Sequence, residues 1–410
     1  MTTNRRVPLV VAVAGGVIFV ALAAWLVPWH PVPGGVPPPA DPGSVFTAEQ
    51  IRRAEEYASG ARLLSWSSLA VSLAITCWFG FSARGRRLAE RLPGPWWCQV
   101  LLAVAMVQLA ARVVTLPFAV LLRRRMLEYG LTHQSWAGFA ADLVRGQAVG
   151  IVTLALGVGV VVGCARRWRR AWAAVAGGLL AVFVLLASFV YPLVVEPLFN
   201  SFEPLPNGSL RTQILRLADQ EGVRVDDVLV ADASRRTTTL NAYVSGFGST
   251  RRVVVYDNLV ESLPEDEALS VVAHELAHAR HGDVLIGSVL GAAGVLLGVG
   301  LLGLLLTAGW TRRRSMADPA VVPLVLALLG IGSLLASPVQ NTISRQIETR
   351  ADVDALRATR DPQAFVEMQR QLALRSLADP TPPAWAQFWF GSHPTTLTRI
   401  AIARSGRYQE

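Results

Sequence analysis

The stretch that decides the fold is His274-Glu275-Leu276-Ala277-His278, which ends only six residues before a long apolar run beginning at Val284. On a helix, residues four positions apart share one face, so the two imidazoles can converge on a single metal ion. Glu275 lies one step round the helix, where it can act as general base toward a water molecule. The motif is typical of a zinc hydrolase, and here it is set directly against a membrane span.

A catalytic zinc ion usually takes three protein ligands, so a third ligand is expected downstream. The candidate is Glu348 in the stretch 344–352 (SRQIETRAD), where Glu348 and Asp352 share one helical face. One carboxylate can bind the metal while the other holds a ligand histidine in its correct tautomer. By composition alone, a charged helix laced with arginine–glutamate pairs fits this stretch equally well. His281 lies on roughly the same face as His274, and spacing leaves it open as a fourth ligand.

Three motifs together resemble the type 1 CaaX prenyl protease family of membrane zinc metalloendopeptidases. They are the stretch 274–278, the stretch 344–352 and the closing Ser392-His393-Pro394, and they occur in the family's order. Further matches lie at residues 128–131, 134–135, 142, 197–200, 204–206 and 241–243. The resemblance implies one catalytic Zn²⁺ bound by His274, His278 and Glu348, with Asp352 orienting a ligand.

The resemblance also implies roles for residues around the metal. In zinc peptidases of this type an edge strand pairs with the extended backbone of the substrate. His393 would donate a hydrogen bond to the oxyanion that forms during attack on the amide carbon. The residues expected to contact substrate are Asn241, Ala242, Tyr243 and Arg399. A plain sheet strand and an ordinary loop histidine remain the alternatives for residues 241–243 and His393.

Composition independently indicates a membrane protein. Hydrophobic residues make up 52% of the chain and charged residues 16%, and the mean hydropathy of +0.41 exceeds what a soluble domain of this length needs. Seven apolar runs are long enough, or nearly so, to cross a bilayer as helices. They lie at residues 7–28, 63–81, 96–122, 149–165, 171–195, 284–308 and 320–339, and the fourth is the shortest. The first is too long for a signal-peptide core, so we predict a retained helix.

The predicted fold is mainly α: a multi-pass membrane protein with about seven transmembrane helices and a small α+β zinc-peptidase module split around the last two spans. Residues 1–198 would form a five-span membrane domain, 199–283 the first part of the module, 284–340 two spans and 341–410 the second part. Within the module we expect a helix at 210–220, strands at 228–230, 241–247 and 252–256, and the metal helix from Glu265. Residues 46–62 are expected to form an amphipathic helix at the membrane surface.

Arginine supplies every basic side chain, since the chain has a net charge of +9 and no lysine. A lysine nucleophile or Schiff base is therefore excluded, and clustering at span ends indicates lipid contact rather than nucleic-acid binding. Arginines at 5–6, 84–91, 166–170 and 312–314 favour a cytoplasmic N-terminus, which places the His274 helix outside. The resemblance instead implies a site open to the cytosol in eukaryotic relatives, so both orientations stay open.

The predicted function is an integral-membrane zinc metalloendopeptidase of the CaaX-processing kind. Its partners would be the lipid bilayer and a peptide or protein substrate, lipidated or membrane-embedded, and a composition rich in Ala, Gly, Val and Pro indicates a bacterial plasma membrane. A quality-control protease of the heat-shock type is the alternative. A transporter or scaffold with a structural zinc is an alternative of another class, and four protein ligands would be its sign. Cys77, Cys98 and Cys164 are predicted packing residues.

Overall fold

The computed structural model of the protein describes residues 3–307 and 315–409. Arg312, Arg313 and Arg314, and the end of the sixth predicted run, lie outside the described residues. In chain order the α-helices of this part are α1 (Thr3–Leu26), α2 (Ala48–Phe81), α3 (Ala83–Glu90), α4 (Trp96–Glu128), α5 (Trp136–Arg167), α6 (Trp172–Val194), α7 (Ser209–Gln220), α8 (Asp257–Ser262), α9 (Glu265–His281), α10 (Asp283–Leu306), α11 (Val322–Thr359), α12 (Pro362–Ser376), α13 (Ala384–Phe390) and α14 (Thr396–Ser405).

Seven of the described helices are long and apolar enough to cross a membrane, which confirms the predicted number of spans. They are α1, α2, α4, α5, α6, α10 and α11. In the bundle α10 packs against α1 and α6, while α2 packs against α4 and α11. The close approach of α1 to α10 depends on Gly300, because a Cβ atom there would collide with the backbone of Ala12. Small residues at such crossings let the two helix backbones approach closely, and the resulting van der Waals contact stabilises helix association in lipid, where the hydrophobic effect does not.

Outside the bundle, four short strands in the described part of the chain form one sheet. They are β1 (Phe202–Pro204), β2 (Asp227–Ala231), β3 (Ala242–Ser245) and β4 (Arg252–Tyr256). The strand order is β1-β2-β4-β3, with β2 and β4 parallel and the other pairs antiparallel. β3 is therefore an edge strand, and it lies beside α9. Its outer backbone groups are available to pair with another extended chain.

One hydrophobic core joins the two chain segments of this module. Its buried side chains come from β4, α9, the end of α11 and α12, and they include Val253, Val255, Val272, Leu276, Val353, Leu356 and Phe365. The helix α10 and the first part of α11 lie between these segments in the sequence. The α+β module is therefore split around the last two spans, as predicted.

Three elements differ from the predictions. Residues 46–62 do not form a separate helix on the membrane surface, because α2 runs unbroken from Ala48 to Phe81. Its first half packs on the module instead, where Arg62 pairs with Asp379 at 2.6 Å. The fourth span is not short, since α5 comprises 32 residues. β1 was missed because three residues ending in proline carry no alternating pattern.

Candidate metal centre

α9 carries both histidines of the motif. Its first turn contains three acidic residues, 265–267, which suit the positive end of the helix dipole. The helix ends at Gly282, whose φ of 66° is left-handed and strained for a residue with a Cβ atom. Leu276 and Ala277 are buried in the module, and their burial fixes the rotation that turns His274 and His278 toward α11.

Glu348 meets the two histidines from α11. Nε2 of His274 lies 3.2 Å from Oε2 of Glu348, and Nε2 of His278 lies 3.7 Å from Oε1. The two Nε2 atoms are 3.1 Å apart. One ligand atom from each residue lies within 4.8 Å of the others, so the group could hold a metal ion. The structure thus brings together the three residues expected to bind metal.

The spacing of these atoms fits a small tetrahedral ion. With metal–ligand bonds of about 2.1 Å, tetrahedral geometry separates neighbouring ligand atoms by about 3.4 Å. In both His274 and His278 the Nδ1 atom faces a carboxylate. Because a carboxylate only accepts hydrogen bonds, Nδ1 of each ring carries the proton and Nε2 carries the lone pair. Two lone pairs and a carboxylate turned toward one point form a donor set suited to a cation.

The ring of His274 is held from behind by Asp352. Its Nδ1 lies 3.0 Å from Oδ1 of the fully buried Asp352. Burial would lower the pKa of His274, but hydrogen bonds from this ring to Asp352 and Glu348 raise it to about 9. A proton and a metal ion therefore compete for this ring.

Arg399, which the sequence predicts to contact substrate, pairs with Asp352 behind the ring of His274. Its Nε donates to Oδ2 of Asp352 at 2.8 Å, and its Nη2 lies 3.4 Å from Nδ1 of His274. Burial works against the charge of Arg399, yet Asp352 raises the pKa of this guanidinium above its ordinary value. Arg399 is not among the described residues that line the cavity next to the metal group. Its position suits holding Asp352 rather than binding substrate.

The ring of His278 is held in the same way by Asp283, a residue that sequence reasoning missed. Oδ2 of Asp283 lies 2.8 Å from Nδ1 of His278, and Oδ1 forms an ion pair with Arg350. The available signal was an aspartate five residues after the second histidine of the motif.

Glu275 lies beside the metal group and lines the same cavity. Among the described side chains none forms a hydrogen bond with its carboxylate. Burial raises the pKa of Glu275, while His274 and His278 act in the opposite direction. An uncommitted carboxylate with a raised pKa is well suited to accept a proton from water and return it.

His393 reaches the group from the segment after α13. Its Nε2 lies 3.4 Å from Oε2 of Glu348, and its side chain is 57% exposed. Nδ1 lies 2.9 Å from the hydroxyl of Ser392, which can donate to it and leave Nε2 carrying the proton. Partial burial lowers the pKa of His393. The neutral ring can therefore donate a hydrogen bond toward the metal group.

His281, the spare histidine of the sequence, lies outside the metal group. Its Nε2 is 2.7 Å from Oδ2 of Asp354, so this ring is engaged elsewhere. Within residues 3–307 and 315–409 the grouped metal-binding side chains number three. A shell of this kind leaves a position open for water, as catalytic sites do.

A cavity of about 1590 Å³ opens from the metal group into the membrane domain. Its walls come from α5, α6, α10 and α11, and most of the lining side chains are apolar. Ala242 and Tyr243 of the edge strand, and Asn241 just before it, belong to the same wall. Phe247 after β3 packs against Phe189 of α6 with ring centroids 4.8 Å apart. The metal group, Glu275 and His393 therefore share one end of an apolar chamber with the edge strand.

The cavity of the membrane domain ends at the His–His–Glu group and at Glu275, whose carboxylate has no hydrogen-bond partner among the described side chains. These features define the class of this protein, a membrane-embedded metallopeptidase. Two family models cover most of the chain. Peptidase family M48 matches residues 204–406, and "CAAX prenyl protease N-terminal, five membrane helices" matches residues 35–201. The chain belongs to peptidase family M48.

Relatives and a solved structure agree with this assignment. The uncharacterized metalloprotease YhfN of Bacillus subtilis is 30% identical over 383 residues, which cover 89% of this chain and 88% of that protein. A CAAX prenyl protease 1 homolog of Oryza sativa is 28% identical over 317 residues, covering 73% and 71%. The crystal structure of S. mikatae Ste24p has the same fold, with a TM-score of 0.79, 18% identity and coverage of 98% and 99%. The family predicted from the three motifs is confirmed.

Proposed function

We propose that this membrane metallopeptidase uses one Zn²⁺ ion held by His274, His278 and Glu348. The observation that carries the proposal is the convergence of these ligand atoms to within 4.8 Å at the end of the chamber. Two imidazoles and one carboxylate, with an open fourth position, form the usual donor set of catalytic zinc. When bound, the ion supplies Lewis acidity toward the scissile carbonyl and toward a water molecule.

The chain's own side chains carry the remaining steps. Glu275 takes a proton from the attacking water and later delivers it to the leaving amine. His393 donates a hydrogen bond from Nε2 to the oxyanion that develops on the carbonyl oxygen. Asp352 keeps the His274 ring in the tautomer that presents Nε2, and Arg399 keeps Asp352 in place.

The substrate backbone pairs with the edge strand in this proposal. Asn241, Ala242 and Tyr243 lie on the chamber wall, and the outer edge of β3 has no neighbouring strand among the described residues. An extended peptide added there would gain main-chain hydrogen bonds and pass Glu275. The bond to be cut would then lie between the strand and the metal group.

The substrate is a protein whose cleavage site reaches the chamber from the bilayer. The chamber walls are largely apolar, so a lipid chain or an apolar segment would bury its surface there. Several relatives are named CAAX prenyl proteases, which favours a lipid-modified C-terminal segment. Similarity to a Bacillus protein supports a bacterial plasma membrane as the location.

The test uses purified, zinc-loaded protein reconstituted in lipid vesicles. Matched peptides with and without a prenyl group are supplied to wild type and Glu275→Gln, and the exposed Glu261→Gln on α8 serves as control. We expect Glu275→Gln to lose about 10²–10⁴-fold in kcat while retaining zinc, because it removes only the base.

Three outcomes separate the candidate functions. Cleavage that requires the prenyl group supports the CaaX-type substrate. Equal cleavage of both peptides favours quality control of membrane proteins instead. Zinc retention without cleavage of either peptide, or wild-type rates in Glu275→Gln, would contradict the proposed mechanism.

A further inference from the structure

His278 is backed by a carboxylate and a guanidinium that none of the three sequence motifs includes as a functional position. Oδ2 of Asp283 lies 2.8 Å from Nδ1 of His278, and Oδ1 pairs with Nη2 of Arg350. The side chains of Asp283 and Arg350 are only 8% and 17% exposed. The arrangement mirrors the pair behind His274.

The position of Asp283 follows from the chain reversal at Gly282. The left-handed φ of Gly282 ends α9, and Asp283 is the first residue of α10. The carboxylate thereby turns back to a ring that lies five residues earlier in the sequence. An ordinary helical continuation would carry residue 283 further round the helix and away from Nδ1 of His278.

Arg350 brings α11 to the same point. It follows Glu348 by two residues, so the helix that supplies the carboxylate ligand also supplies the cation that holds Asp283. One carboxylate therefore links a histidine on α9 to the beginning of α10 and to α11. The three elements around the metal group meet at this side chain.

Asp283 and Arg350 act as one unit because their opposite charges form an ion pair. A carboxylate as buried as Asp283 loses much hydration, and the ion pair with Arg350 offsets that loss. This carboxylate accepts a hydrogen bond from Nδ1–H of His278 and so directs the lone pair of Nε2 toward the proposed metal position. Nε of Arg350 is buried with no hydrogen-bond partner among the described residues, so the contact with Asp283 dominates its placement.

We propose that Asp283 and Arg350 are positioning residues of the metal site, which fix the tautomer and orientation of His278. This inference rests on the proposed role of His278 as a ligand. The unit sets zinc affinity rather than the chemical step, because the Asp283 carboxylate is engaged with Arg350 and with Nδ1 of His278, the ring atom that faces away from the proposed metal position. It also makes the affinity depend on how α10 and α11 are held relative to α9.

The test measures zinc binding without any peptide. Apo protein in detergent competes with a chromophoric chelator for Zn²⁺, and Co²⁺ absorption reports the ligand geometry. Asp283→Ala should bind zinc about 10–100-fold more weakly than wild type. Asp283→Asn should lose less, because its amide oxygen can still accept the Nδ1 hydrogen bond.

Asp354→Ala is the matched control. Asp354 is equally buried and pairs with a histidine and an arginine, but that histidine is His281, outside the metal group. Its zinc affinity should equal that of wild type. If Asp283→Ala fails to fold, the zinc affinities of Asp283→Asn and Arg350→Gln are compared with those of wild type and Asp354→Ala instead.

Wild-type zinc affinity in a folded Asp283→Ala protein would overturn the inference. Equal weakening in Asp354→Ala would overturn it too, because loss of any buried aspartate would then suffice. Failure to find a cleaved peptide leaves this measurement intact, since it needs no substrate. Absence of zinc binding in wild type would overturn the proposed function and this inference together.

Discussion

Two glutamates of the metal site have different surroundings, and these suit them to different tasks. Glu348 faces three histidine rings within 3.7 Å, so its carboxylate is committed to the metal group. Glu275 has no hydrogen-bond partner among the described side chains, and burial raises its pKa. A base with a raised pKa takes up a proton more readily near neutral pH. We therefore expect proton transfer to depend on Glu275 rather than on Glu348.

Replacing His393 by Ala should lower kcat about 10²–10³-fold, because the oxyanion loses one hydrogen-bond donor. Zinc content should stay at the wild-type level, since His393 is not one of the proposed ligands. Kinetics and metal analysis of the same sample check both statements, with the exposed His30→Ala as control. Loss of zinc together with activity would show that His393 is a metal ligand instead.

The buried Glu267 of α9 should make stability depend on pH. Burial raises its pKa to about 7, with Glu367 and Asp266 adding to the effect and Arg370 opposing it. Between its ordinary pKa near 4.5 and about 7, the folded state holds a proton that the unfolded state releases. Stability contributed by the protonated carboxyl is therefore present at low pH and is lost as pH rises through this window.

Glu267→Gln removes that loss, so its melting temperature should exceed that of wild type increasingly from pH 5 to pH 8. A tenfold change in proton affinity corresponds to about 1.4 kcal/mol, so we expect a difference of a few degrees. Thermal unfolding in detergent at several pH values measures it. The exposed Glu261→Gln should track wild type, and a pH-independent difference for Glu267→Gln would contradict the assignment.

Sequence alone predicts the site unevenly, for physical reasons. His274, Glu275 and His278 lie within little more than one helical turn, so local spacing is sufficient to group them. Glu348 is 74 positions from His274, and only the resemblance or the fold brings it near. Asp283 was missed because an aspartate after glycine at the start of a span is also typical of an ordinary helix beginning.

At the scale of elements, α11 combines two environments in one helix. Its 38 residues begin in the apolar bundle and end in the core of the module. Glu348 and Asp352 lie on the later part, where Pro338 within the helix marks the change from apolar to polar sequence. The proposed metal ligand Glu348 is thus part of the same helix as a membrane span, which limits how far the chamber wall can move without moving the site.

The contact between α1 and α10 should fail when Gly300 acquires a side chain. A Cβ atom there would strike Ala12 of α1, whereas Gly298 of α10 has open space around its Cβ position. Gly300→Val should cost about 1–3 kcal/mol through overpacking, and Gly298→Val should cost much less. Melting temperatures of the two variants in detergent decide the point, and equal values would mean that α1 does not pack there.

Hydropathy predicts the long helices well because a span needs about 20 apolar residues, a strong and local signal. It fails at residues 46–62, where the polar half of α2 is stabilised by long-range contacts such as Arg62 with Asp379. Hydropathy does not predict β1 either, because its pairing with β2 depends on the fold rather than on the residues of β1 itself. Tertiary contacts therefore determine the structure of residues 46–62 and of β1.

At the scale of the whole molecule, the described arginines at 5–6, 84–91 and 166–170 lie at the end of the bundle opposite the module. Arg5 of α1 donates to the carbonyl of Thr307 after α10, and Arg166 of α5 donates to that of Ala317. At the module end, by contrast, Arg123 is 3% exposed and Arg62 pairs with Asp379. The positive-inside rule applied to the arginines of the far end predicts that this end faces the cytoplasm.

Labelling of single cysteines in intact cells tests this orientation. With Cys77, Cys98 and Cys164 replaced by alanine, Arg169→Cys in the α5–α6 loop should react with a membrane-impermeant maleimide only after the cells are opened. Arg224→Cys on the module should react before opening. The reverse pattern would place the metal site in the cytoplasm, and retained zinc binding in both variants would show that they are folded.

The interruption of the catalytic module by two membrane-crossing helices has a consequence for biosynthesis. A growing polypeptide would have both histidines in place long before its carboxylate partner has been translated and threaded back across the lipid. Until that insertion is complete, the nascent enzyme would have no assembled cutting centre. The order of these segments along the chain would thus protect other newly made proteins from cleavage before the enzyme is fully inserted.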